Sequence, residues 1–132
     1  MIKRKNKIIT IFALMVVIFS GCYKTATVVV SNEQVVTREV SLVNDILTVF
    51  DKSCTASGCH NSGGHVPDLS ASRAYNSLIN GNYVNLAAPD KSDIYLWLTG
   101  KKSSPMPMGA AINPSNINQL VLAWIKQGAK NN

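Results

Sequence analysis

Cys54-Thr55-Ala56-Ser57-Gly58-Cys59-His60 is the stretch on which the reading of this chain turns. Two thiols lie close together and an imidazole follows the second at once. Thiols can add to the vinyl groups of haem while the next histidine ligates the iron, and the usual spacing for that task is C-x-x-C-H. Here four residues separate the cysteines instead of two. Three readings compete: covalent haem attachment, a disulfide closing a small loop, and a zinc site made of Cys54, Cys59, His60 and His65. Zinc would require the adjacent Cys59 and His60 to bind one ion, which strains the chain. For haem, the extra residues must bulge so that both sulfurs reach their vinyl carbons. Gly58, preceded by the small Ala56 and Ser57, makes a bulge easy, because glycine adopts backbone conformations closed to other residues.

Working outward from this stretch, apolar residues recur at helical spacing. On its N-terminal side a helix is predicted over 41–52, with Val43, Ile46, Leu47 and Phe50 on one face and Ser41 as N-cap. A second is predicted over 71–80, striped by Ala71, Ala74, Tyr75 and Leu78 with Ile79 beside them, capped by Ser70 and ended by Gly81 in the left-handed position. A short third helix spans 93–99, with Ser92 as cap, Ile94, Trp97 and Leu98 inward, and Gly100 at its end. The fourth spans 115–127, with Ile117, Leu120, Val121 and Trp124 on its stripe, Pro114 before it and Gly128 after it. No stretch of this region alternates with period two, so the fold class is all-α. Long loops at 58–70, 81–92 and 100–114 separate the helices, and long loops in a small domain usually carry function.

One of these loops holds Ser103-Ser104-Pro105-Met106-Pro107-Met108-Gly109. Prolines on both sides of Met106 fix φ and stiffen the backbone. If iron is ligated by His60, a methionine on its other side suits electron transfer, because a thioether favours the reduced metal and raises its potential. Met106 is the first candidate for that ligand and Met108 the alternative; both are also ordinary gap-filling residues. No carboxylate pair, serine triad or phosphate-cradling glycine loop occurs.

The N-terminus reads as an export signal. Lys3, Arg4, Lys5 and Lys7 precede an apolar run from Ile8 to Phe19, short for a span of about 20 residues. The run stops at Phe19-Ser20-Gly21-Cys22, a lipobox-like end at which Cys22 would be lipidated after removal of 1–21. The alternative is a retained signal anchor with Cys22 as a spare thiol. The chain carries +6, from 13 Lys and Arg against 7 Asp and Glu. Without the four cations of 1–21, nine remain against seven anions, a balance of +2 that gives no support for nucleic-acid binding. Residues 22–40, with the β-prone Thr25-Ala26-Thr27-Val28-Val29-Val30, read as a tether or a short strand, and 41–132 as one domain. Beyond the cytoplasmic membrane an idle cysteine pair tends to oxidise, so Cys54 and Cys59 are expected to be either a disulfide or a cofactor attachment.

The order of helix, cysteine pair with histidine, helices, methionine loop and final helix resembles a class I cytochrome c domain, of the small haem-binding type found in lipoproteins of Bacteroidetes-like bacteria. The resemblance covers residues 41 to 130. It is carried by Phe50, Cys54, Cys59-His60-Asn61, Pro67-Asp68-Leu69-Ser70, Ala74-Tyr75, Leu78-Ile79-Asn80-Gly81, Ser92-Asp93-Ile94-Tyr95, Met106-Pro107 and Trp124-Ile125-Lys126-Gln127-Gly128-Ala129. It implies a small fold of about four helices wrapped around one haem c. Cys54 and Cys59 would carry the thioether bonds, His60 would be the proximal ligand, and the Pro67 carbonyl would accept from its Nδ1–H. Met106 would be the distal ligand, and Trp124 and Tyr95 would pack near the haem or between helices.

The expected protein is therefore an exported, lipid-anchored electron carrier at the cell envelope, on the periplasmic face or the outer membrane, meeting redox protein partners transiently. Two other classes stay open: a haem sensor or peroxidase-like domain with a displaceable methionine, and a haem-free disulfide-bonded binding lipoprotein.

Overall fold

A computed structural model describes residues 35–102, 105–109 and 115–132. The regular structure among these residues is helical, with no strand. A π-wound stretch, Leu42–Ile46, runs without a break into α1, Leu47–Ser53. Then follow α2, Ala74–Asn80, a single 3-10 turn at Pro89–Lys91, α3, Asp93–Leu98, and α4, Ser115–Lys126. The expected all-α class and the four helical segments are present. The π winding and the 3-10 turn inside the loop 81–92 carry no signal in hydrophobic periodicity.

Ser41 starts the first helix as expected. Its Oγ accepts from the Asn44 N–H at 3.1 Å, while its own N–H donates to Asp45 Oδ2 at 2.9 Å, a reciprocal cap. The inward face differs from the predicted one. Leu42, Ile46 and Phe50 are buried, whereas Val43 is 56% exposed. The first turn is wider, with Ile46 N–H bonded to Ser41 O and Leu47 N–H to Leu42 O, five residues back. A wider turn advances each residue through a smaller angle. Residues four apart therefore stack on the core, and Val43 rotates outward.

Three expected terminal contacts are also replaced. Ser70 gives its hydroxyl to Asp68, and regular helix begins only at Ala74. Ser92, 1% exposed, uses its hydroxyl on Asn85, accepting that N–H at 2.9 Å, rather than on α3. Gly81 is not left-handed, having φ −81°; Asn82 takes that position with φ 59°. Gly81 is needed for close approach instead, since a Cβ there would lie 2.5 Å from the Ser77 carbonyl oxygen and from the Tyr83 ring.

The helices bury one contiguous core. Phe50 and Ile46 meet Leu78 and Ala74 of α2, Ile94 and Leu98 of α3, and Val121, Trp124 and Ile125 of α4. Each such large side chain contributes about 1.5–3 kcal/mol when fully buried. The packed region starts before residue 41. Val40 is 1% exposed and Val36 packs on the core, both within the expected tether. Gln127 at the end of α4 holds this segment by accepting the Val40 N–H at 2.8 Å and donating to the Arg38 carbonyl at 2.9 Å. Arg38 in turn forks onto both oxygens of Asp45, each at 2.7 Å. No helix among the described residues is long and apolar enough to cross a membrane.

Candidate cofactor site

The cysteine loop is built directly on the end of α1. Cys54 and Thr55 both donate backbone N–H to the Phe50 carbonyl, at 2.8 and 3.1 Å. The chain then turns on itself, Cys59 N–H bonding Ala56 O at 2.9 Å, and His60 N–H closes the loop on Cys54 O at 3.0 Å. The four-residue spacer is thus absorbed as a tight turn that brings the main chain of His60 back to Cys54. Gly58 makes this possible with φ +80°. Nothing lies within 4 Å of the point where its Cβ would be, so the requirement is conformational and not one of space.

His60 is held from the loop that follows. Its Nδ1 lies 3.0 Å from Pro67 O and 3.2 Å from His65 O. Both partners only accept, which places the proton on Nδ1 and leaves the lone pair on Nε2. The same loop is stitched down by His65 N–H to Cys59 O at 2.8 Å and Leu69 N–H to His60 O at 2.7 Å. Asp68 gathers its next turns by accepting from the N–H and hydroxyl of Ser70 and from the Ser62 hydroxyl. These bonds, chiefly the Ser70 hydroxyl and then the Ser70 N–H, hold its carboxyl below the usual range.

His60 faces a cavity of about 340 Å³. Its walls are mostly apolar: Phe50, Val66, Pro67, Leu69, Tyr83, Ile94, Trp97 and Leu98. Cys54 and Met106 line the same space, and Asp93 and Lys102 supply its charges. Lys102 Nζ is 2.8 Å from Asp93 Oδ2 and 5.6 Å from the centre of the Trp97 ring. The Met106 N–H donates to Trp97 O at 3.1 Å, tying the methionine loop to the end of α3. One apolar cavity thus gathers a thiol and an imidazole from the cysteine loop and a thioether from the distant methionine loop.

The expected site residues divide. Cys54, His60, Pro67 and Met106 come together on the cavity. Cys59 is exposed and is not on the wall, and it and Cys54 are separate thiols. The Cys54 thiol is pushed up to about 11, first by burial and then by the neighbouring Cys59. Met108 is 79% exposed and lies off the cavity. Trp124 is fully buried in the core, off the cavity wall, and its Nε1–H donates to Lys130 O at 2.9 Å; it holds the C-terminal turn in place. Trp97, read from its stripe as core, takes the place on the wall. Its position just ahead of the methionine loop was the available signal. Leu69 enters the sequence reading only among the residues that carry the resemblance, and Tyr83 carries no signal there, because each reaches the cavity from a loop with no periodicity.

His65 is exposed and off the wall, and among the described residues no three His, Cys, Asp or Glu side chains gather as a metal cage. Of the four residues of the zinc reading, Cys54 and His60 line the cavity and Cys59 and His65 do not. Cys22, with the expected lipidation signal, lies outside the described residues. Comparison with protein-family models, with curated proteins and with solved structures gives no match to this chain.

Proposed function

We propose that this chain is a lipid-anchored monohaem c-type cytochrome that carries single electrons between redox proteins. The observation that carries the reading is the shared cavity: Cys54, His60 and Met106 line it together although Met106 lies 46 positions beyond His60 (106 − 60). The donor set fits haem c. His60 and Met106 would offer the iron a nitrogen and a sulfur ligand, and a macrocycle that brings its own four nitrogens would need no cage of protein ligands. The apolar wall suits a large flat apolar group.

Covalently held there by Cys54 and Cys59, haem would supply a one-electron iron couple with no substrate bond made or broken. His60 presents a lone pair on Nε2 because its Nδ1–H is committed to the Pro67 carbonyl, which also raises the basicity of the ring. Met106 contributes a soft thioether from a loop pinned to α3, and a thioether favours the reduced metal. Phe50, Trp97 and Leu98 exclude water and lower the local dielectric, which sharpens every charge effect inside. Lipidation at Cys22 would hold the domain at the cell envelope, where it would meet transient redox partners.

Haem staining of a denatured gel tests the proposal, using cells competent in haem attachment. Only a thioether-linked haem survives denaturation, so a stained band is expected. A colourless band would overturn the proposal and leave a haem-free lipoprotein.

A further inference from the structure

The peptide group between Pro67 and Asp68 is gripped at both ends. Its oxygen accepts from His60 Nδ1 at 3.0 Å, and its N–H donates to Ser77 Oγ at 2.8 Å. Ser77 does not belong to the loop. It stands in the middle of α2, between Ala74 and Leu78, both fully buried in the core. The hydroxyl is therefore placed by helix packing, and the loop peptide is oriented against it. The other groups nearby are engaged: the Asp68 carboxylate binds Ser70 and Ser62, and the second acceptor of His60, the His65 carbonyl, is longer at 3.2 Å and sits on an exposed residue.

Hydrogen bonds that run in series through one amide polarise each other. Donation of the Asp68 N–H to Ser77 pulls charge onto the Pro67 oxygen. That oxygen then draws harder on the Nδ1–H of His60, and Nε2 becomes the better electron donor. We propose that Ser77 is a positioning residue for His60. Acting through the Pro67–Asp68 peptide, it fixes the orientation of the ring, reinforces the tautomer that the carbonyls select and raises the donor strength of Nε2. The last of these rests on the reading of His60 as an iron ligand; the orientation and tautomer do not.

The test uses the full chain with Ser77→Ala, which removes the acceptor, and Ser77→Thr, which keeps a hydroxyl. Ser77→Cys retains volume with a weak acceptor, and covers the case in which the alanine variant does not fold. In the haem-loaded, reduced protein, Ser77→Ala is expected to speed exchange of the His60 Nδ1 proton about tenfold, by loosening the bond it makes. The midpoint potential should rise, because a weaker donor stabilises ferric iron less. Ser77→Cys should fall between, and Ser77→Thr should match the unsubstituted chain. Wild-type exchange and potential in both a folded Ser77→Ala and a folded Ser77→Cys chain would overturn the inference. If the chain carries no haem, the functional proposal falls on its own. Ser77 is then judged on the imidazole of the haem-free chain, by the ring-nitrogen NMR signals of His60. There the Nδ1–H tautomer should dominate, and Ser77→Ala should lower its share and speed exchange of its proton without reversing the preference, since the Pro67 and His65 carbonyls still accept; an unchanged share and exchange rate would again overturn the role.

Discussion

Two loops bring donor atoms to the same cavity, and they are held very differently. The histidine loop is sewn to itself and to its neighbours: His60 by its N–H, its carbonyl and its Nδ1, and Asp68 by its N–H and both carboxylate oxygens. The described part of the methionine loop is tied to α3 by main-chain bonds from Met106 to Trp97 and from Lys101 to Leu96 and by the Lys102–Asp93 ion pair, and prolines on both sides of Met106 stiffen its backbone. The difference teaches a division of labour. One donor is preset in position and tautomer, while the other is a flexible thioether carried on a stiffened loop. On the proposed reading, a fixed imidazole with an adaptable thioether suits an electron carrier. The same asymmetry makes the methionine side the one to give way.

The largest expected effect comes from removing the preset side. His60→Ala should abolish the six-coordinate low-spin absorption spectrum, and it also frees the Pro67 carbonyl; a variant that kept that spectrum would break the comparison. Met106→Ala should do less. Staining should persist, the methionine-to-iron band near the red end should vanish, and the iron should take up added imidazole, while Met108→Ala should leave the spectrum unchanged because Met108 points off the cavity. Loss of the band in Met108→Ala and not in Met106→Ala would exchange their roles.

Below these in size stands the turn at Gly58. An alanine there must adopt φ +80°, at a cost of about 1–2 kcal/mol. Chemical denaturation should show that loss for Gly58→Ala, and no loss would mean that the turn relaxes freely and the histidine loop is less preset than its bonds suggest. The smallest effect is electrostatic. The Asp68 carboxyl is lowered from an ordinary value of 3.8, so its stabilising bonds are complete above that value and are lost as pH falls through the lower, folded-state one. Exchange of the amide of Ser70 should quicken in acid once buffer effects are removed. Asp68→Asn should abolish that pH dependence; its persistence in the variant would assign the loosening to another group.

Much of this was legible in the sequence, but unevenly. The C-x-x-x-x-C-H stretch, the bulge centred on Gly58, the helical segments and the Ser41 cap are local matters, written within a few residues of each other. Trp97 and Trp124 show where that legibility stops. Both lie on apolar helical stripes, and a stripe reports only that a face is buried, not whether it meets core or cavity. The hydroxyls of Ser70 and Ser92 were read as caps from their place before a helix. Each found a better partner in a loop, since a short polar side chain bonds whichever backbone or side-chain group the fold brings near it.

By itself, then, the amino-acid sequence determined the all-α class and the chemistry on offer: a thiol pair with an imidazole, and a proline-flanked thioether. These follow from periodicity and from glycine and proline geometry, which act over one or two turns of chain. Only the tertiary structure decided which atoms meet. It set Met106 and not Met108 on the wall, put Trp97 there and Trp124 behind it, turned Leu42 inward in place of Val43, and laid Ser77 of α2 against the peptide that holds His60. The physical reason is that contacts between distant segments depend on how helices pack, and packing is a property of the whole core rather than of any stretch within it.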